Sequence, residues 1–349
     1  MKLLITGACG FVGSTLAHEL RELRPNVEIW GLDNFLREGS RTNLQPLLDQ
    51  GIHMVEGDIR RPEDLAKIPK MDWAIDCAAE PSVLAGTGTG MGSAELLDHN
   101  LIGTIRMLEF CKQHGAGFIL MSTSRVYSIR PLASMKVQSV GGAYRPVLPS
   151  GPRLPGLSEH GIAEDFSAEP PLSLYGASKR SAEILALEYG GAFGFPVWIN
   201  RCGVLAGRGQ FGKADQGIFS FWIRSWKEQK PLKYIGFDGK GSQVRDCLHP
   251  RDLLPVILAQ LEMKKPNDPG DGQDVRICNF GGGAANSASL SQLSGWCEKK
   301  FGARQVDSDP QPRPFDLPWI VLDCRRAAKV WGWKITQSLL SICDEIACT

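Results

Sequence analysis

The stretch Thr6-Gly7-Ala8-Cys9-Gly10-Phe11-Val12-Gly13 constrains the fold of this chain more than any other. It follows Lys2 to Thr6, a short apolar run that reads as a strand. It precedes Phe11 to Leu23, whose apolar residues at 12, 16, 20 and 23 share one helical face. In that setting the three glycines serve different ends. Gly7 allows the tight turn, Gly10 lets the backbone approach a pyrophosphate, and Gly13 lets helix and strand pack closely. The helix N-terminus then faces the phosphates. Asp33 closes the next apolar run, Val27 to Leu32, at the distance where a carboxylate accepts hydrogen bonds from an adenosine ribose. The same carboxylate repels a 2′-phosphate, so the expected dinucleotide is NAD rather than NADP, with Arg37 nearby as the one opposing feature. Asp58-Ile59, just after the third strand, is placed to meet the adenine.

His53 to Glu56, Trp73 to Ala78 and Gly117 to Ser122 are further short, unbroken apolar strands, and Leu101 to Gln113 has helical periodicity. Strands of this kind alternating with helices predict an α/β, Rossmann-type doubly wound parallel sheet, buried on both faces. The pattern collapses between Ser128 and Pro171, where 44 residues hold seven prolines and five glycines, including Pro149-Ser150-Gly151-Pro152. Such a stretch is either a lid over a site or a surface excursion. Order resumes with a helix over Ser173 to Tyr189 and a strand over Pro196 to Arg201. An aromatic-rich segment, Phe219 to Trp226, a helix at Asp252 to Glu262 and a strand at Val275 to Phe280 follow. Ser289 to Thr349 holds two helical patterns separated by the proline run 310–318. Residues 1–201 with about 247–281 therefore read as a cofactor domain. About 202–246 and 282–349 read as an interleaved, smaller α/β substrate domain.

The 39 basic and 38 acidic side chains nearly cancel, at +1, and the apolar runs fall short of the roughly 20 residues a membrane span needs. Neither a nucleic-acid surface nor a membrane anchor is expected, and the chain reads as cytoplasmic. Ten cysteines are scattered without a Cys-x-x-Cys pair, and six histidines show no ligand spacing, so no metal site is expected.

Tyr175 and Lys179 stand four residues apart, on one face of a helix. A phenol with a reference pKa of about 10 needs roughly 4 kcal/mol to act as a base near pH 7. A cation about 4 Å away at an effective dielectric of about 20 supplies that amount. Ser122-Thr123-Ser124 ends the fifth strand and puts hydroxyls at the carboxyl edge of the sheet, where open α/β folds bind ligands. Hydroxyl, tyrosine and lysine beside a dinucleotide turn describe carbonyl and alcohol redox chemistry.

With these motifs the sequence resembles the extended short-chain dehydrogenases and reductases, specifically the NAD-dependent sugar-nucleotide epimerases and dehydratases. The resemblance runs through Cys77-Ala78-Ala79-Glu80-Pro81-Ser82-Val83, through Asn100 to Thr104, and through Thr123, three residues before Val126-Tyr127. It implies Tyr175 as general base, Lys179 as the group that holds the nicotinamide ribose and lowers the tyrosine pKa, and Thr123 as a hydrogen-bond donor to the reacting oxygen. It places the cofactor against Gly7, Cys9, Gly10, Phe11, Val12, Gly13, Asp33, Asn34, Asp58, Ile59, Ala78, Ala79, Asn100, Tyr175 and Lys179. Arg201 to Phe221 and Gln243 to Asp252 resemble members that invert carbon 2 of the sugar through a keto intermediate. That implies substrate contacts at Ser82, Thr123, Arg201, Gln210, Phe211, Gln216 and Arg245, the last on the diphosphate, where a guanidinium fork suits phosphate oxygens. A 4-epimerase, a 4,6-dehydratase, a net sugar dehydrogenase or reductase, and an NAD-sensing regulator are the alternatives. Against the dehydratase, Ser124 and Arg125 stand where that branch carries an acidic pair. Other departures from the pattern are Ala206-Gly207-Arg208 and Ser128. The resemblance also implies a homodimer through the helices 101–113 and 173–189, with Glu183 and Glu188 on an interface or a solvated face.

Overall fold

Strands β1 (Lys2–Thr6), β2 (Glu28–Asp33), β3 (His53–Glu56), β4 (Trp73–Asp76) and β5 (Gly117–Thr123) join Val197–Cys202 and Ile277–Phe280 in one seven-stranded sheet. The computed structural model describes residues 1–88, 90–148, 154–213, 216–263, 272 and 274–348. The run Pro149 to Pro152 and Asp215 lie outside the described residues. Across the sheet the order is Ile277–Phe280, Val197–Cys202, β5, β4, β1, β2, β3, and every pairing is parallel. The chain reverses its direction of travel across the sheet between β1 and β4. The crevice outside their carboxyl ends is therefore the ligand position of such a fold.

Alternate residues of a strand point to opposite faces, and both faces are covered. Leu3 and Ile5 pack with Leu16, Leu20, Leu253 and Ile257 on one side, and Leu4 and Leu32 pack with Met107, Leu108, Ala182 and Ala186 on the other. The first helix runs over Phe11–Leu23, as its periodicity predicts, and buries Leu16, Ala17 and Leu20.

Several boundaries differ from the sequence reading for local reasons. β4 stops at Asp76, whose carboxylate accepts the hydroxyls of Thr6 at 2.6 Å and Thr104 at 3.1 Å. The helix expected from Leu101 starts earlier, as a π turn over Asp98–Ile102 that continues into Gly103–His114. The C-terminal part holds three helices, Leu290–Phe301, Arg325–Trp331 and Leu339–Ala347. Gly332, at φ 66°, ends the second, and the Ser338 hydroxyl caps the third.

A second sheet centres on Val244–Leu248, parallel to Val204–Leu205 and Trp319–Ile320 and antiparallel to Ser287–Ser289. Helices Ile218–Lys227, Leu290–Phe301 and Leu339–Ala347 pack Trp222, Trp226, Leu293 and Ile346 beside it. Ala327, Val330 and Trp333 instead return to the core of the first sheet, beside Phe280 and Leu248. The 128–171 excursion forms two hairpins, Val137–Val140 with Ala143–Pro146 and Leu157–Ser158 with Gly161–Ile162. Leu157, Ile162 and Phe166 share a core with Leu317 to Leu322. No helix among the described residues is long and apolar enough to cross a membrane.

Candidate active site

At the carboxyl end of β1 the backbone turns at Gly7, whose φ of 60° suits glycine. A side chain at Gly13 would collide with the Gly7 carbonyl, and one at Gly10 would come to 3.1 Å of it. The first helix begins at Gly10 without a side-chain cap, so its N-terminal N–H groups face the crevice uncovered by the chain's own side chains. The Asp33 carboxylate forms the floor and accepts the N–H groups of Cys9 and Phe35, each at 2.8 Å. Burial raises its pKa, against the pull of those amides. A bare backbone cradle, an uncapped helix start and a carboxylate beside them fit the pyrophosphate and ribose of a dinucleotide. Arg37 donates to the Gln216 side chain and the Phe211 carbonyl, while Arg41 lies over the Phe35 ring and pairs with Glu56.

The rest of the expected cofactor set divides. Asn34 donates to Asp58 at 3.0 Å, and Arg60 pairs with Asp58 at 2.7 Å. Burial opposes ionisation of Asp58, but Arg60 and Asn34 outweigh it and hold this carboxyl well below its usual range. Phe11 is buried at the start of the first helix and Val12 packs against the core of Leu3 and Ile5, whereas Ile59 packs in the core with Met107 and Leu108. Ala78 donates its N–H to Thr6 Oγ1 at 3.2 Å, which with Ala79 shapes the wall of the crevice at the end of β4. Asn100 spends its amide on structure: it accepts the Glu80 N–H at 2.8 Å and donates to the Glu80 carbonyl at 2.9 Å and to Ser178 at 3.3 Å. It therefore ties the 78–82 loop to the helix Leu174–Phe193. The π turn that presents it is a local widening of the helix of a kind found at functional sites.

Thr123 stands beside Tyr175, and its hydroxyl favours the ionised phenol. Burial pushes the Tyr175 phenol up to about 12, against the pull of that hydroxyl and of the Arg125 charge. Lys179 is buried below, and burial lowers its pKa against the attraction of Asp76 and Glu183. The cation acting most on the phenol is thus Arg125, a residue that the sequence reading noted only for replacing an acid.

Beside these groups lies a cavity of about 190 Å³, whose walls include Arg125, Val204, Gln216, Phe221, Gln243, Arg245, Leu293, Phe315 and Asp316. Among the described residues, none of the 128–171 excursion lines it. Arg245 lines this cavity, where it pairs with Asp316 at 2.7 Å and donates to the Val244 and Leu317 carbonyls at 2.8 and 2.9 Å. Gln216 reaches the cavity, and Phe211 packs next to Gly39. Ser82 sits one residue before the lining residues Val83 and Leu84, and its hydroxyl accepts the Leu84 N–H at 3.2 Å.

Of the expected substrate contacts, Gln216 and Arg245 line the cavity, while Ser82, Thr123, Phe211, Arg201 and Gln210 do not, the last two because their donors are spent elsewhere. Arg201 is buried, donating to Glu183 at 3.0 and 2.7 Å and to the Tyr127 hydroxyl at 3.2 Å. Gln210 is consumed as a brace, donating to the Leu205 carbonyl at 2.7 Å and accepting the Ser220 hydroxyl at 2.7 Å. Glu183 lies on neither a solvated face nor an interface: it is fully buried and also accepts the Ser122 hydroxyl at 2.6 Å. Its place four residues after Lys179 was the available signal, since that spacing keeps it on the face that Lys179 buries. Glu164, inside the proline-rich excursion, accepts the Asn279 N–H at 2.7 Å, and burial pushes its carboxyl up to about 7. Gln243 opens the stretch that carries the resemblance but was given no role, and Asp316 stood in no motif.

The model of the NAD dependent epimerase/dehydratase family matches residues 3–278. The CDP-paratose 2-epimerase of Salmonella typhi is 30% identical over 348 residues, covering 96% of this chain and 94% of that protein. The UDP-glucuronate 4-epimerase of Thermodesulfobacterium geofontis is 25% identical over 342 residues, covering 95% and 90%. Among solved structures, the UDP-glucuronic acid 4-epimerase of Bacillus cereus, in complex with UDP-glucuronic acid and NAD, superimposes with a TM-score of 0.76 at 25% identity, covering 100% of this chain and 98% of that one.

Proposed function

The chain belongs to the NAD dependent epimerase/dehydratase family, and from that premise we propose that it inverts carbon 2 of the sugar of a nucleotide diphosphate sugar. The observation that carries this reading is the meeting of Thr123, at the end of β5, with Tyr175, at the start of the helix Leu174–Phe193, beside a glycine cradle and next to a cavity holding Arg245. The 30% identity to a CDP-paratose 2-epimerase supports carbon 2 over other positions. Ser124 and Arg125, in place of an acidic pair, count against dehydration.

NAD fits the cradle, held by the 7–13 backbone and Asp33, and when bound supplies reversible two-electron chemistry at a sugar carbon without net consumption. Tyr175 Oη takes the proton of the sugar hydroxyl as that carbon becomes a ketone. Thr123 Oγ1 donates a hydrogen bond to the same oxygen and keeps it in line with the phenol. Arg245 holds the diphosphate while the ketone presents its other face, and Tyr175 then returns the proton. The groups under the phenol, Lys179, Asp76 and Glu183, are buried and keep water from that side. We also assign a homodimer, supported by the exposed Ile102 and Ile184 on the two helices that would pair; light scattering of the purified protein tests it.

The experiment is to incubate the purified protein in deuterated water with CDP-, GDP- and UDP-sugars, without added cofactor, and to follow the sugars by NMR. A product inverted at carbon 2 with no solvent deuterium there, and a rate lowered about 10²- to 10⁴-fold in Tyr175→Phe, is the expected result. Inversion at carbon 4 moves the assignment to the 4-epimerases that also resemble the chain. Net formation of NADH with an oxidised sugar moves it to a dehydrogenase.

A further inference from the structure

We propose that Arg37 is a positioning residue that fastens Phe211 and Gln216, on the substrate side, to the ribose end of the cofactor crevice, and so holds NAD in place from one turnover to the next. The inference rests on NAD occupying the glycine cradle, and not on which sugar carbon is inverted.

Arg37 lies on the loop that leaves Asp33, and both ends of that loop are tied to the glycine turn. Asp33 accepts the Cys9 N–H at 2.8 Å, and Asn43 donates to the Cys9 carbonyl at 2.9 Å. The loop therefore arches beside the cradle on two fixed feet. From the arch the half-buried Arg37 guanidinium forks: one nitrogen donates to the Gln216 side-chain oxygen and the other to the Phe211 carbonyl. The Phe211 ring lies over Gly39, where a side chain would come to 2.7 Å of it. Gly39 has φ 85°, so glycine serves both the turn and the close approach. Lys213 and Glu38 add an exposed ion pair at 3.9 Å, which contributes little.

The other half of this clasp is anchored among the substrate-side elements. Gln210 donates to the Leu205 carbonyl and accepts the Ser220 hydroxyl, each at 2.7 Å, and Gly212 lies against the backbone of Phe221. Lys213 and Gln216 exchange backbone hydrogen bonds at 2.7 and 3.0 Å, which sets Gln216 on a closed turn. Gln216, Gly217 and Ile218 then line the substrate cavity, whereas Arg37 does not. Two acceptors meet one planar fork across more than 170 residues of sequence, a geometry that a lysine cannot copy. A dinucleotide that is not consumed needs no exit, whereas a sugar nucleotide needs one in every cycle. Joining the loop after Asp33 to the segment that walls the cavity serves the first need without placing Arg37 in the path of the second.

The test follows exchange of bound NAD for radiolabelled NAD in the purified holoprotein. Circular dichroism shows that each variant is folded, and a variant purified empty is reloaded with NAD before the exchange. Arg37→Met should release NAD about 10- to 10²-fold faster than wild type, the worth of hydrogen bonds from a charged donor. Arg37→Lys, which keeps the charge and loses the fork, should recover only a small part of the difference. Gln216→Leu should also speed release, and adding it to Arg37→Met should change nothing further, because the two residues form one contact. A release rate unmoved in folded Arg37→Met overturns the proposal, and so do additive effects of the two replacements. NAD held as in wild type, with only added NADP losing affinity, overturns it as well and makes Arg37 a phosphate ligand. No sugar is added, so absence of turnover with every sugar would defeat the carbon-2 reading and leave this result standing.

Discussion

In the cofactor cleft the chain mostly contacts itself nearby and through backbone: Gly10 donates to the Gly7 carbonyl at 3.0 Å, and Asp33 holds the N–H groups of Cys9 and Phe35. In the substrate cavity the wall is made of side chains from distant segments. Arg245 meets Asp316 across 71 residues of sequence, and Arg37 meets Gln216 across 179. A surface of backbone amides offers the same donors whatever residues surround it, and so suits a ligand that never changes. A surface of long-range side-chain pairs can be altered one residue at a time, which suits a substrate that differs among relatives.

Gly13→Val attacks the cleft at its tightest point, because the new side chain has no room above the Gly7 carbonyl. The variant should retain no NAD, measured as nicotinamide released on denaturation. Retention at the wild-type level would show that the cradle tolerates what its geometry excludes. Glu183→Ala, at the buried brace between β5 and its neighbour strand, leaves Arg201 buried without its carboxylate. Urea unfolding should show a loss of about 3–5 kcal/mol, against less than about 1 kcal/mol if Arg201 were a solvated substrate ligand.

Glu164 tests the junction through pH. Its proton is held more tightly in the folded chain, with a pKa of about 7, than at the ordinary value of 4.5, so ionising it favours unfolding. Stability should fall as pH rises from 4.5 to about 7, by about 2 kcal/mol. The fall should be missing in Glu164→Gln, as read by denaturant midpoints across that range. The smallest effect belongs to the cavity wall. Arg245→Ala should raise the substrate KM about tenfold, the worth of one charged hydrogen bond, with NAD content and melting temperature unchanged. A loss of NAD in this variant would mean that the two regions are not separate.

The same contrast explains what could be read beforehand. β1, β3 and the first helix stand at the residues their periodicity predicts, because burial on two faces and glycine geometry are local matters. Thr123 and Tyr175 could be paired because each stands at the end or start of an element whose direction the sheet dictates. Arg201 and Gln210 were misplaced because a motif says which residue is present but not which neighbour takes its donors. Glu183 takes those of Arg201, and Leu205 and Ser220 engage the amide of Gln210. Asp316 lies in a proline-rich run with no period, and only the fold reveals that it faces Arg245.

The chain passes back and forth between the seven-stranded sheet and the sheet centred on Val244–Leu248: out after Val197–Cys202, back for Ile277–Phe280, out again to Ser287–Ser289, and back to the first core for the helix Arg325–Trp331. Neither sheet is a continuous piece of gene. A single recombination event cannot exchange the substrate-facing half for that of a relative, and a single proteolytic cut frees no intact half. Diversity in a molecule wired this way accumulates by point replacement and by insertions between elements.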